Sequence, residues 1–184
     1  MSVMFTPEQI KKEGYLLSYM SSEDITPEHC WAAVSCAKRK FADNRNVIDF
    51  IPRSLLTKEM CMDIVRQNGE ALRSVPQEMI DREMCLIAVT QYGEALSRVP
   101  NEYKNIEMCQ LAVAERGTAL FYVPKEWITK ELALIAVRTT PYAFGAVPEH
   151  LRDYDVCLRT LDHGNYNLVH SQISSDLFEK IHEY

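Results

Sequence analysis

The residues with most chemistry to offer in this 184-residue chain are its six cysteines and five histidines. Thiolates and imidazoles bind zinc, attack electrophiles or exchange disulfides when they stand close together at suitable spacing. Five of the cysteines, Cys30, Cys61, Cys85, Cys109 and Cys157, fall at one position of a repeating pattern. A slot refilled in copy after copy is a packing slot, where cysteine acts as a small buried apolar residue. Ala133 fills that slot once, so sulfur is not required at every step. Stacked helices about 8–10 Å apart would also hold such thiols beyond disulfide reach. Cys36 stands outside the series and is the expected reactive thiol if it is exposed. The histidines, His29, His150, His163, His170 and His182, show no ligand spacing along a helix, and no CxxC pair accompanies them. A metal site is therefore not expected.

Other catalytic signatures are missing. The chain contains no GxSxG, P-loop, HExxH or GxGxxG motif. Glu78, Glu102 and Glu126 recur in phase, which marks a solvated face rather than an acid–base pair. No catalytic residue and no cofactor is expected, and an enzyme is disfavoured because catalysis needs a constellation that breaks the repeat.

The elements that position these residues follow from the repeat itself. The stretch VPQEMIDREMCLIAVTQYGEALSRVP, residues 75–100, runs directly into VPNEYKNIEMCQLAVAERGTALFYVP, which ends at Pro124. Prolines stand at 52, 76, 100, 124 and 148, a period of 24 residues, and periods of this size signal stacked repeat units. Thr57, Asp81, Asn105, Thr129 and Asp153 share one phase and suit helix N-caps, because their side-chain oxygens accept from unpaired first-turn amides. Two residues on, Glu59, Glu83, Glu107, Glu131 and Asp155 place anions where the helix dipole favours them. Apolar residues then recur at helical spacing, as in Met60, Cys61, Ile64 and Val65. The pattern predicts a helix over 58–68 and its equivalents, with Gly69, Gly93 and Gly117 as left-handed C-terminal caps. A short second helix, Glu-Ala-Leu-x-x, follows and stops before the Val-Pro pair, since a residue preceding proline is pushed out of the helical region. Proline opens one further turn carrying Leu55, Met79, Tyr103, Trp127 or Leu151.

The phase continues to both ends with edits. Thr6-Pro7 reads as a cap before a shortened helix, and Thr26-Pro27 as another. The insertion SCAKRKF, residues 35–41, is about two helical turns and is expected to lengthen its helix without rotating the apolar face. Asp153 to Ile173 reads as a degenerate unit with Cys157 and Leu168 at apolar positions, and Ser175 to Glu179 as a capping box opening a terminal helix.

Copies of the form VPxxx…xEMCxxAVxxxGxALxxVP resemble a bacterial family of short helical repeats, about 24 residues long, known as a domain of unknown function. The resemblance covers 50–174 well and 6–50 loosely, with Ala133 and Pro141 as departures. It implies an all-helical repeat fold and brings no catalytic residues with it.

The expected fold class is therefore all-α, an α-solenoid of stacked short helix-turn-helix repeats with irregular terminal units. One domain is expected over 1–184, with irregular units at 6–56, regular repeats at 57–152, and a degenerate repeat plus capping helix at 153–184. Apolar residues at 47% and charged residues at 25% suit a folded soluble protein. The net charge of −6 argues against phosphate-backbone binding over the whole surface. No apolar run reaches membrane-spanning length and no secretory signal is visible, so a cytoplasmic protein with reduced thiols is expected, or one in a host cytosol if it is a translocated effector.

Function is expected where the repeat breaks. The pair after the second-helix leucine is Arg73-Ser74, then Ser97-Arg98, then Phe121-Tyr122. Tyr142 stands where earlier units carry Glu or Thr, and Arg98, Arg116 and Arg138 lie near in phase. Aromatics and arginine anchor protein interfaces, so these six residues form the candidate partner-binding patch. The alternative is that one of Phe121 and Tyr122 packs inward and the other covers it. A second candidate patch is the basic strip Lys38, Arg39, Lys40 and Arg45. Residues 1–56 carry 7 basic and 7 acidic side chains against 13 and 19 in the remainder, so this strip is a local feature. The expected function is a non-enzymatic scaffold, adaptor or inhibitor for a protein partner. The alternative is a nucleic-acid-related role, through phosphate binding by the strip or acidic mimicry by the C-terminal part, and nucleic acid is the less expected partner.

Overall fold

The computed structural model describes residues 4–37 and 46–162 together with positions 169, 171 and 173. The described residues are helical, with no strand among them. Among the described residues there are seven α-helices: α1 Pro7–Lys12, α2 Pro27–Val34, α3 Lys58–Gln67, α4 Arg82–Gln91, α5 Ile106–Glu115, α6 Lys130–Thr139 and α7 Tyr154–Leu161. Short 3-10 helices fill most of the intervals between them.

The caps explain where the helices begin. Thr57, Asp81, Asn105, Thr129 and Asp153 each accept from the backbone N–H three residues on, at 2.8–3.2 Å. Each such bond is worth about 1 kcal/mol to its helix. Thr6 forms a reciprocal box with Gln9, and Thr26 forms one in which His29 supplies the return bond, Thr26 N–H donating to Nδ1 at 3.1 Å. The inward faces repeat the expected set: Met60, Cys61, Ile64 and Val65 on α3, and Met108, Cys109, Ala112 and Val113 on α5, are all buried.

Contacts divide the chain into two compact units, residues 1–88 and 89–184. In the first, α1 packs on α2 and α2 on α3, and the Gln67 amide donates to the Val34 carbonyl at 2.9 Å. Its core gathers Ile10, Leu17, Val47, Met60 and Leu72. In the second, α5 packs on α6 and α6 on α7. Three 3-10 helices, Gly93–Arg98, Gly117–Tyr122 and Pro141–Ala146, pack on one another in the same succession. Within those turns Ala95 and Leu96, Ala119 and Leu120, and Ala143 and Phe144 are buried.

Three expectations are corrected. The second helix is a 3-10 turn, and the glycine opens it instead of closing the α-helix. The closing residues Asn68, Tyr92, Arg116 and Thr140 are extended, with φ between −147° and −152°. Gly93 and Gly117 have no positive φ; they are glycine because a Cβ there would press within 3.0 Å of the Ala112 and Ala136 carbonyl oxygens. Second, the insertion does not extend α2, which ends at Val34 and gives way to a turn over 35–37. Third, Cys36 is buried, its thiol donating to the Ala33 carbonyl at 3.1 Å. It lies against Gly14, where an added Cβ would meet its sulfur at 2.6 Å. The expected positions of Leu168 and of the terminal helix at 175–179 lie outside the described residues.

Candidate interaction surface

The cysteine series is packing throughout the described residues. All six cysteines are reduced and buried. Burial pushes Cys30, Cys61, Cys85 and Cys157 up to about 11, and raises Cys109 in the same direction. The Cys61 and Met79 sulfurs are 3.9 Å apart, and Cys109 and Trp127 line the same small hollow. Among the described residues no three His, Cys, Asp or Glu side chains gather as metal ligands would. Glu78, Glu102 and Glu126 are exposed, with Glu78 paired to Arg53 at 2.6 Å.

The aromatic break in the repeat faces water. The 3-10 helix Gly117–Tyr122 buries Ala119 and Leu120, and its tight turn then carries the next two residues outward. Phe121 is 48% exposed, Tyr122 40% and Tyr142 66%. The rings of Phe121 and Tyr142 touch, with centroids 6.0 Å apart and an interplanar angle of 38°. The backbone carbonyl of Tyr122 accepts from Lys104 Nζ at 3.3 Å, which fixes the end of the turn.

A polar network fixes the neighbouring ground. The Thr118 hydroxyl donates to Glu94 Oε1 at 2.7 Å and the Tyr92 hydroxyl to Glu94 Oε2 at 3.0 Å. Arg116 lies over the Tyr92 ring, 5.6 Å from its centroid. The Thr118 hydroxyl, then Tyr92 and the Arg116 charge, hold the Glu94 carboxyl below its ordinary range. Of the six predicted residues, Phe121 and Tyr142 are in contact, Tyr122 stands exposed beside Phe121, and Arg116 is engaged with Tyr92. Arg98 and Arg138 are exposed, and the described cation–π contacts do not include them. The basic strip Lys38, Arg39, Lys40 and Arg45 lies outside the described residues.

Two features escape the sequence reading. Next to Phe121 is a hollow of about 280 Å³ lined by Lys125, Ile128, Ala146, Val147 and Arg152. Its sequence signal is the pair Gly145-Ala146, the small counterpart of Arg73-Ser74, Ser97-Arg98 and Phe121-Tyr122. Arg152 is held there by donating from Nε to the Val147 carbonyl at 2.9 Å and by lying over Phe144 at 5.3 Å. On the outward faces of α5, α6 and α7, Leu111, Ile135 and Leu158 are also exposed.

Among the described residues no helix is long and apolar enough to cross a membrane. No curated protein and no solved structure matches the chain. Residues 81–128, which run from the Asp81 cap to the turn after Trp127, match the family model of a domain of unknown function, DUF4116.

Proposed function

We propose that the chain is a short solenoid of 24-residue helical units that binds a protein partner, without catalysis of its own. The observation that carries this reading is the exposed contact between Phe121 and Tyr142. Equivalent positions in earlier units hold Arg73 and Ser97, and Glu70, Glu94 and Thr118. A packed fold gains nothing from exchanging those polar residues for solvent-facing rings, whereas an interface does, because aromatics bring large contact area at low entropic cost. Arg98 and Arg138 are exposed cations near in phase, and the fixed Glu94 network limits the ordering that binding would demand. Six reduced thiols suit a reducing compartment, and the cytoplasm is the proposed location.

The test is affinity capture from native-host extract with the wild-type chain and with Phe121→Arg/Tyr122→Ser, the pair found at 73–74. Unchanged melting with loss of the captured protein supports the surface. Capture that is unaffected by the double change removes it.

A further inference from the structure

We propose that the small hollow lined by Ile106 and Trp127 receives a basic side chain of the partner, an arginine or lysine whose stem lies along the apolar lining and whose charge meets Glu126. The proposal rests on the reading of the chain as a protein-binding module and names the chemistry of one bound residue.

The hollow measures about 140 Å³, below the range of most small-molecule sites and suited to one side chain. Cys109 and Leu132 are its buried members, Trp127 is half-buried, and Ile106 is 55% exposed. Three of its residues leave the repeat together. Ile106 stands where Lys58, Arg82 and Lys130 occur, and Gln110 where Met62, Leu86, Leu134 and Leu158 occur. Trp127 takes the place of Leu55, Met79, Tyr103 and Leu151. In two other units the lysine in the phase of Ile106 is tied down inside the chain. Lys58 pairs with Asp81 at 2.7 Å, and Lys130 pairs with Asp153 and Asp155. Here both members of that pair are exchanged, for Ile106 and Thr129.

The charge that remains is negative. Glu126 is exposed and is the carboxylate of the lining, to which no lysine or arginine contributes. Glu78, in the same phase, is paired with Arg53, but Asn101 stands where that arginine would serve Glu126. Among the described residues Glu126 has no ion pair. Lys104, whose charge reaches the Cys109 thiol, directs its amine to the Tyr122 carbonyl and does not line the hollow. A cation placed beside both an indole and a carboxylate gains from each. The methylene stem of arginine or lysine would cover Ile106 and Leu132, as long basic side chains cover apolar surface. Gln110, exposed at the same hollow, offers a donor and an acceptor to the incoming backbone.

The experiment pans a random peptide library displayed on phage against the full chain, then measures the affinity of one enriched synthetic peptide. Enrichment of arginine or lysine is expected. Ile106→Lys, which installs the residue found at 58 and 130, should fill the hollow with a cation and weaken that peptide by about tenfold. Glu126→Gln should weaken it by roughly fivefold and make the remainder less sensitive to salt. Trp127→Leu, the residue found at 55 and 151, should weaken it by about fivefold through loss of the ring. Glu23→Gln, an exposed carboxylate of the first unit, should leave the affinity unchanged. If Trp127→Leu lowers the melting temperature, the two exposed changes carry the comparison. Enrichment of acidic or uncharged peptides, or no enrichment, overturns the proposal. So does binding indifferent to Ile106→Lys or to Glu126→Gln in the folded chain, or as sensitive to Glu23→Gln as to Glu126→Gln. Should Phe121→Arg/Tyr122→Ser abolish partner capture while folded Ile106→Lys does not, the aromatic surface stands and the basic-residue hollow falls.

Discussion

Replacing Gly117 by alanine tests the packing of the second unit more sharply than any truncation of its core. Glycine to alanine ordinarily stabilises a compatible site by about 0.4–1 kcal/mol, because the unfolded chain loses freedom. Here the added methyl would press on the Ala136 carbonyl oxygen, with the Ala136 carbonyl carbon and Thr140 Cβ each at 3.0 Å. Two of these three neighbours are backbone, so α6 must shift away from the 3-10 turn. Forced overpacking of this kind costs about 1–3 kcal/mol. For a chain of this size, each kcal/mol lowers the melting temperature by about 2–4 °C. A loss of about 2 kcal/mol therefore predicts a fall of roughly 4–8 °C, read by circular dichroism and by urea unfolding of the full chain. Gly117→Asn separates this cause from a left-handed cap. Asparagine tolerates the left-handed region and would be milder than alanine at such a cap. Against a carbonyl it is bulkier and should be at least as damaging as alanine. A neutral or stabilising Gly117→Ala, or an asparagine variant more stable than the alanine one, would refute the close-approach explanation.

Other outcomes follow from the same structure. Asn105→Ala removes the acceptor for the Met108 amide and should cost about 1 kcal/mol, while Asn105→Ser restores most of it. The buried thiols should resist alkylation in the native chain at pH 8 and react only on unfolding. Because burial raises them to about 11, above the unfolded value near 8.5, their contribution is complete below that unfolded value and is lost as pH rises towards the folded one. Glu94 shows the opposite sign: its folded carboxyl is depressed, so its contribution is present above the ordinary carboxylate range and lost as pH falls through the folded value. Thr118→Val should move its titration upward in carbon-detected NMR, and an unmoved titration would show that the Thr118 hydroxyl is not its main support.

How far the fold and the surface could be read from residues alone depends on the range of the interaction. Caps, first-turn anions and the Met-Cys-Ile-Val face are local patterns, and α3 to α7 begin where those patterns place them. The role of the glycines is not legible locally, because its cause is the carbonyl of the following helix, which no window around Gly93 or Gly117 contains. Cys36 is buried by Ile10 and Gly14 from distant chain, so its place outside the cysteine series said nothing of its exposure. The aromatic break was visible as a departure from the repeat, but whether Phe121 faced inward or outward depended on the tight 3-10 turn. Its contact with Tyr142 arises because successive 3-10 helices pack side by side. The hollow beside Phe121 has only two small residues, Gly145 and Ala146, as its mark in the sequence, and missing bulk leaves no periodic pattern.

The proposed partner binding through this surface is measured most directly by amide hydrogen exchange on the full chain, with and without a protein recovered with it from native-host extract. New protection should centre on the 3-10 helices Gly117–Tyr122 and Pro141–Ala146, and it should vanish with Phe121→Arg/Tyr122→Ser. Protection confined to the outward faces of α5, α6 and α7, around Leu111, Ile135 and Leu158, would place the interface elsewhere and contradict the aromatic surface.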